Sequence, residues 1–344
     1  MPEKKHPWQK RCYLIAEAGV NHNGSLEFAR QLVVAAKECG ADAVKFQTFK
    51  AERVARSDAP KAAYQLRNTD RSESQIDMLR KLELSPKAHR ELSALCAGME
   101  IDFLSTPYNE EDVIFLKKLG VPAIKLASIH LFEPHFLRLV ARQGLPLFLS
   151  TGMGTLSDVD LAVRTIREAG NPPVVLLHCT TNYPSAVADA NLRAITTLRD
   201  AFGLEVGYSD HTQSETCSVA AVALGAKVIE RHFTLDRSME GPDHTSAADP
   251  VGFKELARRI RETENALGDG VKRPCAAELA NMPNMRRSLV ARRAIAKGRK
   301  ISESMLTCKR PADGIAPALI DQVVGLAARR DIREGETIQW SQLD

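Results

Sequence analysis

Short apolar runs alternate along this chain with segments of helical period, and most of the runs end on a polar or charged residue. Cys12-Tyr13-Leu14-Ile15-Ala16 ends on Glu17. Asn21-His22-Asn23-Gly24 is turn chemistry, Ser25 is a good N-cap, and the pattern over Leu26–Cys39 predicts a helix that Gly40 stops. Ala43-Val44-Lys45-Phe46-Gln47 is the next strand, with Lys45 and Gln47 on one face by the period of two. Ser85-Pro86 opens a helix that ends near Gly98. Then Ile101–Ser105 ends on Thr106-Pro107, Ala123–Ala127 on Ser128, Pro146–Leu149 on Ser150-Thr151-Gly152, and Val174–Cys179 on a loop reaching Tyr183-Pro184. Gly207–Thr234 holds the last two strand ends, one carrying Ser209 and His211 and the other His232, with Ala-rich, helix-like Gln213–Ala226 between them. Eight strands alternating with helices call for a parallel sheet with crossover connections, and eight such units close into an α/β (β/α)8, or TIM, barrel.

Two segments break this rhythm. Thr48–Arg80 is polar and too long for an ordinary connection, which predicts a partly helical lid over the barrel mouth. Gly268, Gly270, Pro274 and Pro283 mark residues 271–285 as a linker between a barrel over 1–270 and a β-rich module over 286–344. In that module, strands are expected at Ser288–Ala291, Lys300-Ile301, Ala327-Ala328 and Thr337–Trp340. Two similar turns recur there, Ala296-Lys297-Gly298 and Arg333-Glu334-Gly335, with helical turns expected at Glu303–Leu306 and Ser341–Leu343.

Composition narrows the class. With 344 residues, 44% hydrophobic and 26% charged, the chain can bury a large core. The net charge of +4 gives no footing for nucleic acid, and no run reads as a signal peptide or membrane span, so a cytoplasmic protein is expected. Residues 286–344 carry 12 Lys/Arg against 7 Asp/Glu, a basic module on a neutral body. Seven scattered cysteines without a C-x-x-C pair read as reduced thiols.

The strand ends supply the chemistry. Glu17, Lys45, Gln47, Thr106, Lys125, Ser128, Ser150, Thr181, Ser209, His211 and His232 all fall where active sites of this barrel lie. Ser and Thr are ordinary at loop starts, but lysines, a glutamate and histidines beside apolar strand residues need partners or a ligand. His211 and His232 supply an incomplete shell for a labile divalent metal. Lys45, Lys125, Thr106, Ser128, Ser150 and Ser209 suit a phosphate and a carboxylate held together, as in phosphoenolpyruvate. A Schiff-base lyase using Lys45 or Lys125 stays open, as does a carbohydrate-binding protein acting through its basic module. His178 reads as a core residue and His22 as part of the first turn.

Several of these motifs together carry a resemblance. Ala16–Ser25, Val44–Thr48, Leu104–Pro107, Leu149–Met153, Leu177–Thr180, Tyr208–Thr212, Glu230–Thr234 and Gly241–His244 resemble the sialic acid (nonulosonic acid) synthase family. Lys309-Arg310-Pro311 and Asp313-Gly314-Ile315 resemble its C-terminal SAF, or antifreeze-like, domain, which implies a β-clip-like fold. The resemblance implies condensation of phosphoenolpyruvate with N-acetylmannosamine or a similar N-acylated sugar, giving N-acetylneuraminate. The runner-up is a legionaminic or pseudaminic acid synthase using a 2,4-diacetamido-2,4,6-trideoxyhexose. It implies Mn2+ or Mg2+ on His211 and His232, with phosphoenolpyruvate on Lys45, Thr106, Lys125, Ser128, Ser150 and Ser209. Glu17, Gln47, Asn68, Tyr183 and Asp243 would face the sugar or the metal's water, with Glu17 counted as catalytic alongside the two histidines. Arg310 would reach the sugar's acyl group from the partner subunit of a domain-swapped homodimer, the SAF domain capping the neighbouring barrel. In the implied reaction the metal polarises the sugar aldehyde, C3 of phosphoenolpyruvate attacks it, water adds at C2 and phosphate leaves. One departure stands out. Many members have Gly-Glu after the Lys125–Ser128 motif, and this chain has Ile129-His130, which reads either as a neutral loop substitution or as the sign of an altered sugar.

Overall fold

The computed structural model describes residues 6–62, 64–70 and 72–344, the side chain of Arg67 apart. The chain divides into two compact units, Met1–Gly268 and Asp269–Asp344.

In the first unit, eight parallel strands run in the order β3-β2-β1-β8-β7-β6-β5-β4. They are β1 (Tyr13–Gly19), β2 (Ala43–Thr48), β3 (Asp102–Pro107), β4 (Ile124–Leu126), β5 (Leu147–Ser150), β6 (Val174–Cys179), β7 (Glu205–Asp210) and β8 (Val228–His232). The two ends of that order, β3 and β4, lie against each other, so the sheet closes into the expected barrel. Helices start behind hydroxyl caps, two of them at the expected Ser25 and Ser85 and one at Thr155, which was not foreseen. The Ser25 hydroxyl caps Leu26–Glu38 through the Phe28 N–H, Ser85 caps Pro86–Gly98 through Ala88, and Thr155 caps Leu156–Ala169 through Asp158. The helix before β8 is shorter than expected, Thr216–Ala223, because Gln213–Glu215 form a turn after β7.

Alternation along each strand builds the interior in layers. Tyr13, Ile15, Ala43, Leu104, Ala123, Phe148, Val175, Leu177 and Val228 form one buried apolar cluster, with Trp8 packed edge-on against Phe148 at 5.0 Å. Burying a side chain such as Phe148 contributes roughly 2–3 kcal/mol. Two residues further on, the same period brings up Glu17, Lys45, Thr106, Lys125, Ser150, Cys179, Ser209 and Glu230. The change from apolar to polar at one level makes a site instead of more core. Gly207 shows how closely the layers fill: a Cβ there would lie 2.5 Å from both the Val228 carbonyl and the Leu177 side chain. A separate core lies between sheet and helices, including Leu32, Leu92, Leu116, Leu137, Ile166 and Ile260.

The segment between β2 and the helix Pro86–Gly98 carries three short helices, Ala51–Val54, Gln65–Asn68 and Gln75–Lys81. A small apolar cluster of Val20, Phe49, Met78 and Leu82 pins it to the barrel. Buried Lys61 ties its middle together by donating to the Asp70 carbonyl at 2.7 Å and pairing with Glu73 at 3.3 Å. No helix among the described residues is long and apolar enough to cross a membrane.

The second unit has its own core, including Leu289, Ile295, Ile301, Val323, Ile332 and Ile338. Strand β9 (Ser288–Ala291) pairs antiparallel with β10 (Leu306–Lys309), a strand that sequence reading missed by extending a helical turn to Leu306. The turn itself is Glu303–Met305. Lys300 and Ala327 make one isolated bridge, and Trp340 begins a helical turn, Trp340–Gln342, instead of ending a strand. The recurring turns are real, since Gly298 and Gly335 share φ of 78°, a left-handed conformation that suits glycine. Residues 271–285 include an exposed helix, Ala276–Met285, within the second unit.

Candidate active site

A cavity of about 580 Å3 opens at the C-terminal ends of the barrel strands. Its lining includes Glu17, Lys45, Gln47, Thr106, Lys125, Ser128, Ser150, Tyr183, Ser209, His211, His232 and Asp243. Thr181 lines it too, so thirteen of the fifteen residues singled out from sequence converge on one space. Asn68 does not line it: its amide donates to the Pro242 carbonyl at 2.9 Å and to the Thr245 hydroxyl at 3.1 Å, which fastens the lid to the loop after β8. Arg310 belongs to the second unit, where its Nε donates to the Met285 carbonyl at 3.1 Å.

The floor is a set of charges and hydroxyls with fixed roles. Lys45 Nζ lies 2.6 Å from Glu17 Oε2 and 3.6 Å from Glu230, and donates to Thr106 Oγ1 at 3.0 Å. Lys125 Nζ lies 3.6 Å from Glu230 and donates to Ser150 Oγ at 2.7 Å. The Ser128 hydroxyl accepts the Gly152 N–H at 3.0 Å and lies 3.2 Å from the Cys179 thiol. A hydroxyl that has accepted from a fixed donor keeps its own proton for another acceptor. The Thr106 and Ser150 hydroxyls, filled by lysines, are thus set to donate into the cavity, and Ser128 joins them when the thiol donates to it. Ser209 instead donates to Glu230 at 2.9 Å and serves the floor from within.

Burial and neighbours set the protonation states. Burial raises the Glu17 carboxyl to about 7, despite the pull of Lys45. Burial would also raise Glu230, but Lys125, Lys45 and the Ser209 hydroxyl take it down to about 2. Lys45 is held above the usual lysine range: burial opposes its charge, but Glu17 and Glu230 outweigh it. Lys125 is lowered by burial. Two lysines thus face one firmly ionised carboxylate and one that titrates near neutrality, a balance that favours a multiply charged anion.

The other wall holds the imidazoles. His211 and His232 have ring centroids 5.4 Å apart, with the Tyr183 ring 4.3 Å from His211 and 5.4 Å from His232. Burial lowers both histidines, and His211 lowers His232 further, so both are neutral and free to act as ligands. His211 Nδ1–H donates to the Thr180 carbonyl at 2.7 Å, which fixes the tautomer and leaves Nε2 as the ligating atom. His232 Nδ1 is buried without a hydrogen-bond partner, and Asp243 Oδ2 stands 3.7 Å away. Two neutral imidazoles, one with an orphaned nitrogen, fit a labile divalent cation. Among the described residues no group of three or more His, Cys, Asp or Glu forms a ready metal cage, so further ligands would have to be oxygens of substrate or water.

Sequence reading missed Glu230, Cys179 and Tyr108 as parts of this site. Glu230 had a signal: it stands two residues before His232 on β8 and therefore on the same face. Cys179 ends β6, and its cavity position follows only from strand register. Tyr108 donates to Gln47 Oε1 at 3.2 Å and orients that amide. His178, outside the cavity, donates Nε2–H to the Ala190 carbonyl at 2.8 Å, and His22 Nδ1 accepts the Gly24 N–H at 3.0 Å, the structural roles expected of both.

The NeuB family model matches residues 32–272, and the SAF domain model matches residues 286–344. The chain belongs to the NeuB family. It is 45% identical to the N,N'-diacetyllegionaminic acid synthase of Legionella pneumophila over 97% of this chain and 95% of that one. It is 44% identical to the enzyme of the same name from Campylobacter jejuni over 96% of this chain and 99% of that one. Among solved structures, the N-acetylneuraminic acid (sialic acid) synthetase of Leptospira borgpetersenii matches with a TM-score of 0.70 at 31% identity, covering 79% of this chain and 90% of that one.

Proposed function

We propose that this NeuB-family chain is a nonulosonic acid synthase that joins phosphoenolpyruvate to a 2,4-diacetamido-2,4,6-trideoxyhexose, giving a legionaminic acid-type product and phosphate. The observation that carries the anionic half is the floor itself: two lysines and outward-donating hydroxyls at one level of the barrel, opposite two neutral imidazoles. The choice of sugar rests on similarity. Relatives at 45% and 44% identity are named for diacetyllegionaminic acid, and the neuraminic acid synthetase stands at 31%. The expectation of N-acetylmannosamine as the sugar gives way to the diacetamido alternative.

In this reading Lys45 and Lys125 hold the phosphate and carboxylate charges, with Thr106, Ser128 and Ser150 donating to their oxygens. Glu17 and Glu230 keep the two ammonium groups in place between turnovers. Gln47, Tyr183 and Asp243 face the sugar. C3 of phosphoenolpyruvate forms the new C–C bond with the aldehyde carbon, whose oxygen takes a proton. Water adds at C2, and the C2–O bond to phosphate breaks. A divalent cation, Mn2+ or Mg2+, belongs to the proposal: His211 and His232 would hold it, and it would supply Lewis-acid polarisation of the aldehyde. The lid residues Val54, Tyr64, Met78, Leu79 and Leu82 line the cavity and would keep bulk water from the reacting carbons.

The same proposal includes a homodimer in which Arg310 serves the partner's sugar. Mixing inactive Arg310→Ala and His211→Ala chains should restore activity, and a mixture that stays inactive removes that part. The function as a whole is tested by phosphate release from phosphoenolpyruvate, which should require both a divalent metal and the diacetamido sugar. Release without any sugar, or none with any sugar of the class, contradicts it.

A further inference from the structure

The side chains that the lid turns toward the active-site cavity differ in kind from those of the floor. Val54, Met78, Leu79 and Leu82 line the cavity together with Val20, from the loop after β1. All five belong to, or pack against, the apolar cluster that pins the lid to the barrel, so they form one contiguous apolar wall. Gln65 and Gln75 add neutral amides beside it, and Gln65 Oε1 already accepts the Ala62 N–H at 2.9 Å. The lid is nevertheless rich in charge, and its cations are committed elsewhere. Arg53 pairs with Glu111 at 3.2 Å, Arg80 with Glu52 at 2.7 Å and Lys61 with Glu73 at 3.3 Å. Among the described lining residues the only lysines or arginines are Lys45 and Lys125, both on the floor.

This division orients a sugar end to end. Its aldehyde carbon belongs beside His211 and His232, next to phosphoenolpyruvate on the floor. The far end of the carbon chain, C6, is left to extend toward the mouth, where it meets the lid. We propose that the apolar lid wall is the subsite for C6, and that it admits a methyl there and turns away a phosphate. The proposal rests on the function proposed above, and it assigns Val54, Met78, Leu79 and Leu82 as the residues that select a 6-deoxy sugar. A C6 methyl buries apolar surface against them. A C6 hydroxyl gives up water for a wall with few partners, and a C6 phosphate brings a second multiply charged anion to a wall that offers no cation.

The test compares three sugars that differ at C6 alone: 2,4-diacetamido-2,4,6-trideoxymannose, its 6-hydroxy counterpart 2,4-diacetamido-2,4-dideoxymannose, and the 6-phosphate of the latter. Each is assayed with wild type, Leu79→Arg and Val54→Arg, two half-buried positions on different lid helices. In kcat/KM, wild type should favour the 6-deoxy over the 6-hydroxy sugar by about tenfold or more, because an apolar pocket discriminates against an added hydroxyl to this extent. The 6-phosphate should fall at least about another tenfold lower. Each arginine should raise the 6-phosphate relative to the 6-deoxy sugar by about tenfold or more, while KM for phosphoenolpyruvate stays at the wild-type value and reports an intact floor. If wild type condenses none of the three, the proposed function fails. If wild type condenses them without preferring the 6-deoxy sugar, or if both arginine variants keep the wild-type ratio, the function stands and the lid assignment is overturned.

Discussion

Gly152 follows β5 at the point where three side chains of the anion floor meet. A Cβ added there would lie 2.2 Å from Thr181 Oγ1, 2.7 Å from Ser128 Oγ and 2.8 Å from Cys179 Sγ. All three atoms end short side chains that can rotate, so Gly152→Ala need not break the fold; overpacking of this kind costs about 1–3 kcal/mol. The functional cost is separate. Ser128 must swing away from the Gly152 N–H it accepts at 3.0 Å, and its own proton then no longer points at the substrate. A hydrogen bond to a charged group is worth about 1.5–3 kcal/mol, so KM for phosphoenolpyruvate should rise roughly tenfold to a hundredfold. The assay is steady-state phosphate release against phosphoenolpyruvate at saturating sugar, alongside thermal unfolding. Gly98→Ala is the control, since nothing lies within 4 Å of a Cβ at the end of that helix. A folded Gly152→Ala enzyme with wild-type KM for phosphoenolpyruvate would refute the assigned role of Ser128.

Other consequences follow from the same geometry. Lys45→Met takes from buried Glu17 its ammonium partner at 2.6 Å, while Glu230 keeps Lys125 and Ser209, and urea unfolding should show a loss of about 3–5 kcal/mol. The two carboxylates have opposite pH signatures. Glu17 rises from 4.5 to about 7, so the native state binds the extra proton and stability from this group falls as pH climbs from 4.5 through 7, by on the order of 3 kcal/mol. Glu230 falls from 4.5 to about 2, so its stabilisation is present above 4.5 and is lost as pH drops through 2. Stability curves of wild type and Glu17→Gln should therefore diverge above pH 4.5, with wild type losing ground as pH rises; parallel curves would show that Glu17 is not raised. Calorimetric titration with Mn2+ should give one site per chain that His232→Ala and His211→Ala each abolish, and unchanged binding in either variant would exclude that histidine as a ligand.

Much of the barrel was legible because its strands are apolar runs that end on polar residues at one level. That is also why Lys45, Thr106, Lys125, Ser150, Ser209, His211 and His232 could be found by position. Period-two reasoning applied to β8 would have added Glu230, whose role depends on two lysines from other strands. What stayed hidden depends on contacts between distant segments. Asn68 was placed with the sugar by the family resemblance alone, and in the structure its amide ties the lid to Pro242 and Thr245. The Cys179–Ser128–Gly152 arrangement needs the register of β5 and β6 and the close packing at Gly152. In the small unit, β10 was lost because Leu306 follows a helical turn directly, and only its partner Ala291 makes it a strand.

The central claim is that this cavity joins phosphoenolpyruvate to a diacetamido trideoxyhexose. Mass spectrometry of parallel reactions, with N-acetylmannosamine in one and 2,4-diacetamido-2,4,6-trideoxymannose in the other, tests it most directly. The account predicts a nine-carbon acid bearing both acetamido groups, formed together with an equal amount of phosphate, as the favoured product. N-acetylneuraminate as the favoured product, or no condensation with the diacetamido sugar, would contradict it.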